Sequence, residues 1–276
     1  MSTFPPFAAL PMQTSDAAEA RELATGAGVH GIYLANALHA EKPGRVPAEV
    51  VVVRGTERLL GLAYFGPRGN LLVVEREPVE PQKLAGALLD THWPWRIALG
   101  PAAVAEQLVV CGGLRTLVDR EQIYYSIRDA VAPDPGVLRR AERADLKPLM
   151  EASLRLNESD LRVAPWRVDR DWLRRATKQR IREGTTFVIG PPGSPWTKLD
   201  LGSVGPSGAI LEGVFTWPQH RGRGLAAQLV AAVAAELLRD VSVVCLHVAA
   251  DNAAARRTYE KAGMQVAGSC RLLLRD

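Results

Sequence analysis

Leu211-Glu212-Gly213-Val214-Phe215-Thr216-Trp217-Pro218-Gln219-His220-Arg221-Gly222-Arg223-Gly224-Leu225-Ala226 reads as a strand, a short glycine loop and the start of a helix. Backbone N–H groups at a helix N-terminus have no intrahelical acceptor and carry partial positive charge, so this junction is suited to an anion. Gly222 and Gly224 permit a tight turn and a close approach of phosphate oxygens. Arg221 and Arg223 add charge that pairs with phosphate. No Lys-Ser or Lys-Thr follows, so this is not a Walker loop. Only two glycines occur, and no acidic residue follows a second strand at the distance a dinucleotide fold requires. What remains is a different kind of pyrophosphate site.

Working outward, the pattern predicts a helix over 224–239, a strand over 241–248, a helix over 253–262 and a last strand over 265–274. Upstream it predicts helices over 137–154 and 168–183, then strands over 186–189, 198–204 and 209–216. The run Asp129-Ala130-Val131-Ala132-Pro133-Asp134-Pro135-Gly136 stops regular structure. It sets the boundaries expected here: a domain over 1–131, a linker over 132–136 and a second domain over 137–276. In the first domain, apolar runs at 50–54, 59–65 and 71–75 read as an antiparallel meander after a helix over 15–25. A helix over 84–92, a strand over 95–99, a helix over 102–111 and a strand over 117–127 closing the sheet complete it. Both halves spell a mixed α/β order with no residue-level repeat.

The 276 residues are 47% hydrophobic and 23% charged, with a net charge of +4, as in a soluble globular protein. That charge helps attract a polyanion but is too weak to argue for nucleic acid as a partner. Three cysteines form no disulfide framework, and Cys245 reads as a small buried hydrophobe. The five histidines show no metal spacing, so no metal is expected. No signal peptide or membrane-crossing stretch is legible, and the expectation is a cytoplasmic protein without a membrane partner.

Gln219-x-x-Gly222-x-Gly224, between a strand and a long helix, resembles the acyl-CoA motif of the GNAT superfamily of N-acetyltransferases. A second signature in the same order looks like that family's: Asn252, then Ala255 and Tyr259, then Gly263 before an apolar residue. The resemblance covers the second half of the chain. It implies an α/β protein with an α+β mixed sheet: two tandem GNAT-like domains, each a mostly antiparallel mixed sheet flanked by helices. It implies acetyl-CoA (coenzyme A) as co-substrate. Val214, Phe215 and Thr216 would splay from a parallel neighbour at 246–248 and offer backbone groups to the pantetheine amides. The N–H groups from Arg221 through Gly222, Arg223, Gly224 and Leu225 to Ala226, with Gln219 and His220 leading in, would hold the pyrophosphate. Asn252 would bond the pantetheine arm or the strand edge, with Ala255 beside it. Tyr259 would protonate the departing thiolate, its other reading being an aromatic packing residue at helix spacing.

The reaction so implied is direct attack of a primary amine on the thioester, the acceptor being a small molecule, peptide or protein. Glu212 lies two residues before Val214 and, by the period-two rule, on the same strand face, which makes it the candidate base or else a charge at the sheet surface. His220 reads better as a solvated loop residue and His247 as a hydrogen-bonded core residue. Thr216 N–H is a candidate to polarise the carbonyl. Lys198 and Asp200 share a strand face, as an ion pair or as pocket polar groups. The helix bearing Arg174, Arg175, Lys178, Arg180 and Arg182 reads as a solvated face near the acceptor region.

The first domain resembles the same superfamily in element order, but Glu75-Arg76-Glu77-Pro78-Val79-Glu80-Pro81 stands where its glycine loop would fall. Its three glutamates would repel a pyrophosphate, so a degenerate half is expected. A non-catalytic acyl-CoA sensor is the alternative function; a transferase using aminoacyl-tRNA would not need the CoA loop. Monomer and homodimer are both compatible with this reading.

Overall fold

A computed structural model describes residues 7–40, 47–66, 69–76, 79–130 and 138–276. In chain order the elements are β1 (Ala9–Pro11), α1 (Ala17–Gly26), α2 (Ile32–Ala40), β2 (Val50–Arg54), β3 (Leu59–Phe65), β4 (Asn70–Glu75) and α3 (Pro81–Asp90). Then follow β5 (Ile97–Gly100), α4 (Ala102–Gly112), β6 (Thr116–Ile127), β7 (Leu138–Arg140), α5 (Leu146–Leu161) and α6 (Arg170–Glu183). The chain ends with β8 (Thr186–Ile189), β9 (Thr197–Gly205), β10 (Gly208–Thr216), α7 (Leu225–Leu237), β11 (Val244–Ala249), α8 (Ala253–Lys261) and β12 (Gln265–Arg275). This is the mixed α/β protein the sequence predicts. No helix among the described residues is long and apolar enough to cross a membrane.

Two compact units result. Unit 1 comprises 1–124, 205–207 and 267–276, and unit 2 comprises 125–204 and 208–266. The expected linker at 132–136 lies outside the described residues. Contacts do not follow that linear boundary, because residues 267–276 pack within unit 1 although they end the chain.

In unit 1 the strands run in the order β1-β2-β3-β4-β5-β12-β6. The meander β2-β3-β4 is antiparallel as expected, β4 and β5 are parallel, and β12 runs antiparallel to β5. β6 therefore does not close the sheet against β5, since β12 lies between them. The run Val50–Val53 shows why this sheet reads as continuously apolar. Val50 and Val52 pack with Leu23, Ala24, Leu34 and Leu38 of α1 and α2. Val51 and Val53 face the other way, onto Leu84, Leu88, Val104 and Leu108 of α3 and α4. A sheet covered on both faces has no polar side, so alternation disappears from its strands.

In unit 2 the order is β11-β10-β9-β8-β7, antiparallel for β7-β8 and β8-β9 and parallel for β10-β11. The single helix expected over 137–154 is a correction: β7 comes first, and α5 begins only at Leu146. Asp145 divides them. Fully buried, it takes both guanidinium nitrogens of Arg139, at 2.7 and 3.0 Å, and the N–H groups of Glu142 and Gly193. Burial alone would raise its pKa, but Arg139 and those N–H groups outweigh it and keep the carboxyl below its ordinary range. β11 likewise starts at Val244, three residues later than expected. Ala152, Leu149, Val188, Phe215 and Trp217 form the core beneath α5.

Candidate functional site

The site forms where β10 leaves β11. Their parallel ladder contains the pairs Ala209↔Val244 and Ile210↔Cys245 and then stops, although both strands continue. Gly213 has φ +58°, a left-handed residue inside a strand, which marks a bulge. Gly213 thus lies between the end of that ladder at Ile210 and residues 214–216. The bulge also corrects the reading of Glu212. A left-handed residue breaks the two-residue alternation, so sharing a face with Val214 no longer follows from spacing. Instead Glu212 Oε1 accepts from Arg180 Nη2 at 2.6 Å.

Beyond β10, Trp217 is buried and its N–H donates to Trp196 O at 3.1 Å, which fixes where the loop begins. A single 3-10 turn, Pro218–His220, leads into the glycine loop. Arg221 Nε donates to Thr216 O at 3.1 Å, and Arg221 N–H donates to Pro218 O at 3.3 Å. That N–H, expected to face the phosphate, is therefore engaged within the turn. Gly222 (φ +76°) and Gly224 (φ +75°) both take the left-handed conformation that side chains disfavour. The N–H groups of residues 222–226 have no acceptor among the described residues. Gln228 N–H is the first to reach back, to Gly224 O. Residues 221–223 are exposed and 224–226 half-buried, so the turn is open to solvent.

Lys261, which sequence reasoning missed, comes from α8 to this turn, whose own sequence carries Arg221 and Arg223. A Cβ built on Gly224 would stand 3.4 Å from Lys261 Nζ. An ammonium placed against the positive end of a helix is unfavourable unless an anion joins them. His220 departs from its expected role as a solvated residue. It is half-buried, stacks on Trp196 with centroids 5.5 Å apart, and its Nδ1 is buried without a partner among the described residues. His247 is half-buried. Gln219 is exposed.

Asn252 caps α8, its Oδ1 accepting from Ala255 N–H at 3.1 Å. Its side-chain oxygen is thus committed to the helix. Tyr259 is buried on α8, and its ring centre lies 5.9 Å from that of Tyr125. Burial, with Asp160 adding its charge, pushes the phenol well above its ordinary range. It is a protonated donor throughout the neutral region. Tyr125 is held on the same helix: its hydroxyl donates to Glu260 Oε1 at 2.8 Å and accepts from Arg256 Nε at 3.2 Å. Among the described residues no His, Cys, Asp or Glu group of three or more is arranged to hold a metal.

Residues 201–272 match the family model described as FR47-like protein. A GCN5-related N-acetyltransferase from Sphaerobacter thermophilus aligns over 99% of this chain and 96% of its own, with a TM-score of 0.61 and 19% identity. A Drosophila protein aligns over 97% of this chain and 98% of its own, with a TM-score of 0.67 and 15% identity. A tandem GNAT protein from the clavulanic acid biosynthesis pathway aligns over 96% and 97%, with a TM-score of 0.52 and 13% identity. No curated protein sequence matches the chain. The chain has the fold of these GNAT structures, and residues 201–272 match the FR47-like model.

Proposed function

We propose that the second half of the chain, residues 137–276, transfers the acetyl group of acetyl-CoA to a primary amine, and that residues 1–131 are a degenerate GNAT-like half. One observation supports this most: the N–H groups of residues 222–226, without an acceptor among the described residues and with Lys261 beside them, next to a strand whose ladder to its neighbour stops. A diphosphate satisfies the N–H groups and the cation, and a pantetheine arm satisfies the strand by pairing with its backbone. The donor set fits that cofactor.

Acetyl-CoA supplies an activated acyl thioester. Glu212 takes a proton from the attacking amine, whose nitrogen bonds to the thioester carbon. N–H groups of the parted β10 polarise the carbonyl. As the carbon–sulfur bond breaks, Tyr259 gives its proton to the departing thiolate, a role for which a phenol kept protonated by burial is suited. That role favours turnover over a non-catalytic sensor.

Calorimetric titration of the full chain with acetyl-CoA, paired with thiol release over a panel of primary amines, tests this. Binding with one site and amine-dependent release are expected. Tyr259→Phe should lower turnover by about 100-fold, the usual worth of a placed acid, at unchanged acetyl-CoA affinity. Equal turnover in the variant removes the acid role, and absence of binding heat in the native chain defeats the proposal.

A further inference from the structure

We infer that the buried pair Lys198–Asp200, tied to Arg180, is a wedge that holds β10 bulged at Gly213 and thereby positions the thioester carbonyl; this rests on the reading of the site just given. Lys198 and Asp200 are 2% and 3% exposed, side by side on β9. Removing two charges from water costs several kcal/mol per ion, on the order of what their attraction returns, so stability alone is a weak reason for such a pair. Its position supplies a better one.

Asp200 accepts from Lys198 Nζ, from Arg180 Nη1 at 3.0 Å and from Thr186 Oγ1 at 2.6 Å. A Cβ built on Gly213 would lie 2.9 Å from both Asp200 Oδ2 and Lys198 Nζ. The pair therefore fills the space that a side chain at the bulge would need, beside the residue of β10 with φ +58°. The residue before it is held from the same source, because Arg180 also bonds Glu212 at 2.6 Å. The ladder to β11 ends at Ile210, three residues before Gly213. A bulge that follows the end of such a ladder sets the direction of the N–H groups beyond it, which have no partner on that strand. Lys198, Asp200 and Arg180 are positioning residues: they line the bulge and act on the thioester only through it.

The test uses the full chain and acetyl-CoA labelled with carbon-13 at the acetyl carbonyl. Lys198→Met combined with Asp200→Leu removes both charges at similar volume, a change that buried ion pairs commonly tolerate. In the native protein the bound carbonyl resonance should be displaced from its free position. In the double variant it should return toward the free position, with turnover reduced by about 100-fold, the worth of a lost carbonyl donor. Acetyl-CoA affinity should stay within about threefold, because the phosphate loop is untouched. Gly213→Ala provides an independent route to the same readout, since its methyl collides with the wedge, and it should move the resonance in the same direction. A folded double variant, or Gly213→Ala, with the native resonance and native turnover overturns the inference while leaving the cofactor site intact. A native chain that binds no labelled acetyl-CoA overturns the reading of the site and this inference with it.

Discussion

Gly224→Glu is expected to weaken acetyl-CoA binding by at least about 100-fold, or about 2.8 kcal/mol, measured by titration calorimetry. The new carboxylate would start from a Cβ 3.4 Å from Lys261 Nζ, at the N-terminal end of α7. There it occupies the electrostatic position that a phosphate needs and pairs with the cation that would otherwise meet it. The variant should remain folded. A side chain at φ +75° costs about 1–2 kcal/mol. A carboxylate at a helix N-terminus returns about 0.3–1 kcal/mol of that. Gly222→Ala is the mild comparison, because its Cβ meets nothing within 4 Å and only the backbone strain remains. Unchanged affinity in Gly224→Glu would place the diphosphate elsewhere.

The second large effect concerns the fragment 1–131, which should not fold on its own. It lacks β12, whose residues Arg271 to Leu274 pair with Gly100 to Ile97 in the sheet of unit 1. Leu272, Leu273 and Leu274 are buried at 6%, 0% and 3% exposure, so their loss removes side chains from the core itself. At about 1.5–3 kcal/mol each, they account for roughly 5–9 kcal/mol. That is comparable to the whole stability of an ordinary domain, about 5–15 kcal/mol. The fragment should show no cooperative thermal transition by circular dichroism, and appending residues 265–276 through a flexible linker should restore one. A sharp transition in the bare fragment would show that β12 is dispensable to unit 1.

These two expectations differ in how far the sequence revealed them. The glycine loop was legible because the chemistry is local: a turn, two glycines and a helix start lie within a few residues of one another. The Val50–Val53 run was equally legible as a strand, although only contacts show which valine faces α2 and which faces α3. The place of β12 was not legible. Its apolar run is satisfied by any covered sheet, and chain order suggests the nearer half, so only long-range pairing decides. Gly213 carries a legible signal, since an isolated glycine within a strand often marks a bulge. Treating 211–216 as regular made Glu212 a neighbour of Val214 on one face, whereas its carboxylate meets Arg180. Lys261 and the stacking of His220 on Trp196 depend on the arrival of distant segments, α8 and the start of β9. β7 was concealed by its length, three residues directly after a proline-rich stretch.

The central claim is that the bare amides after residue 221 cradle a diphosphate. Backbone nitrogen-15 spectra of the full chain, recorded with and without acetyl-CoA, test it most directly. The largest shifts and the strongest slowing of amide exchange should fall on residues 222–226, and pantetheine, which lacks the diphosphate, should reproduce neither. Acetyl-CoA that binds while those five amides keep their free resonances would contradict it.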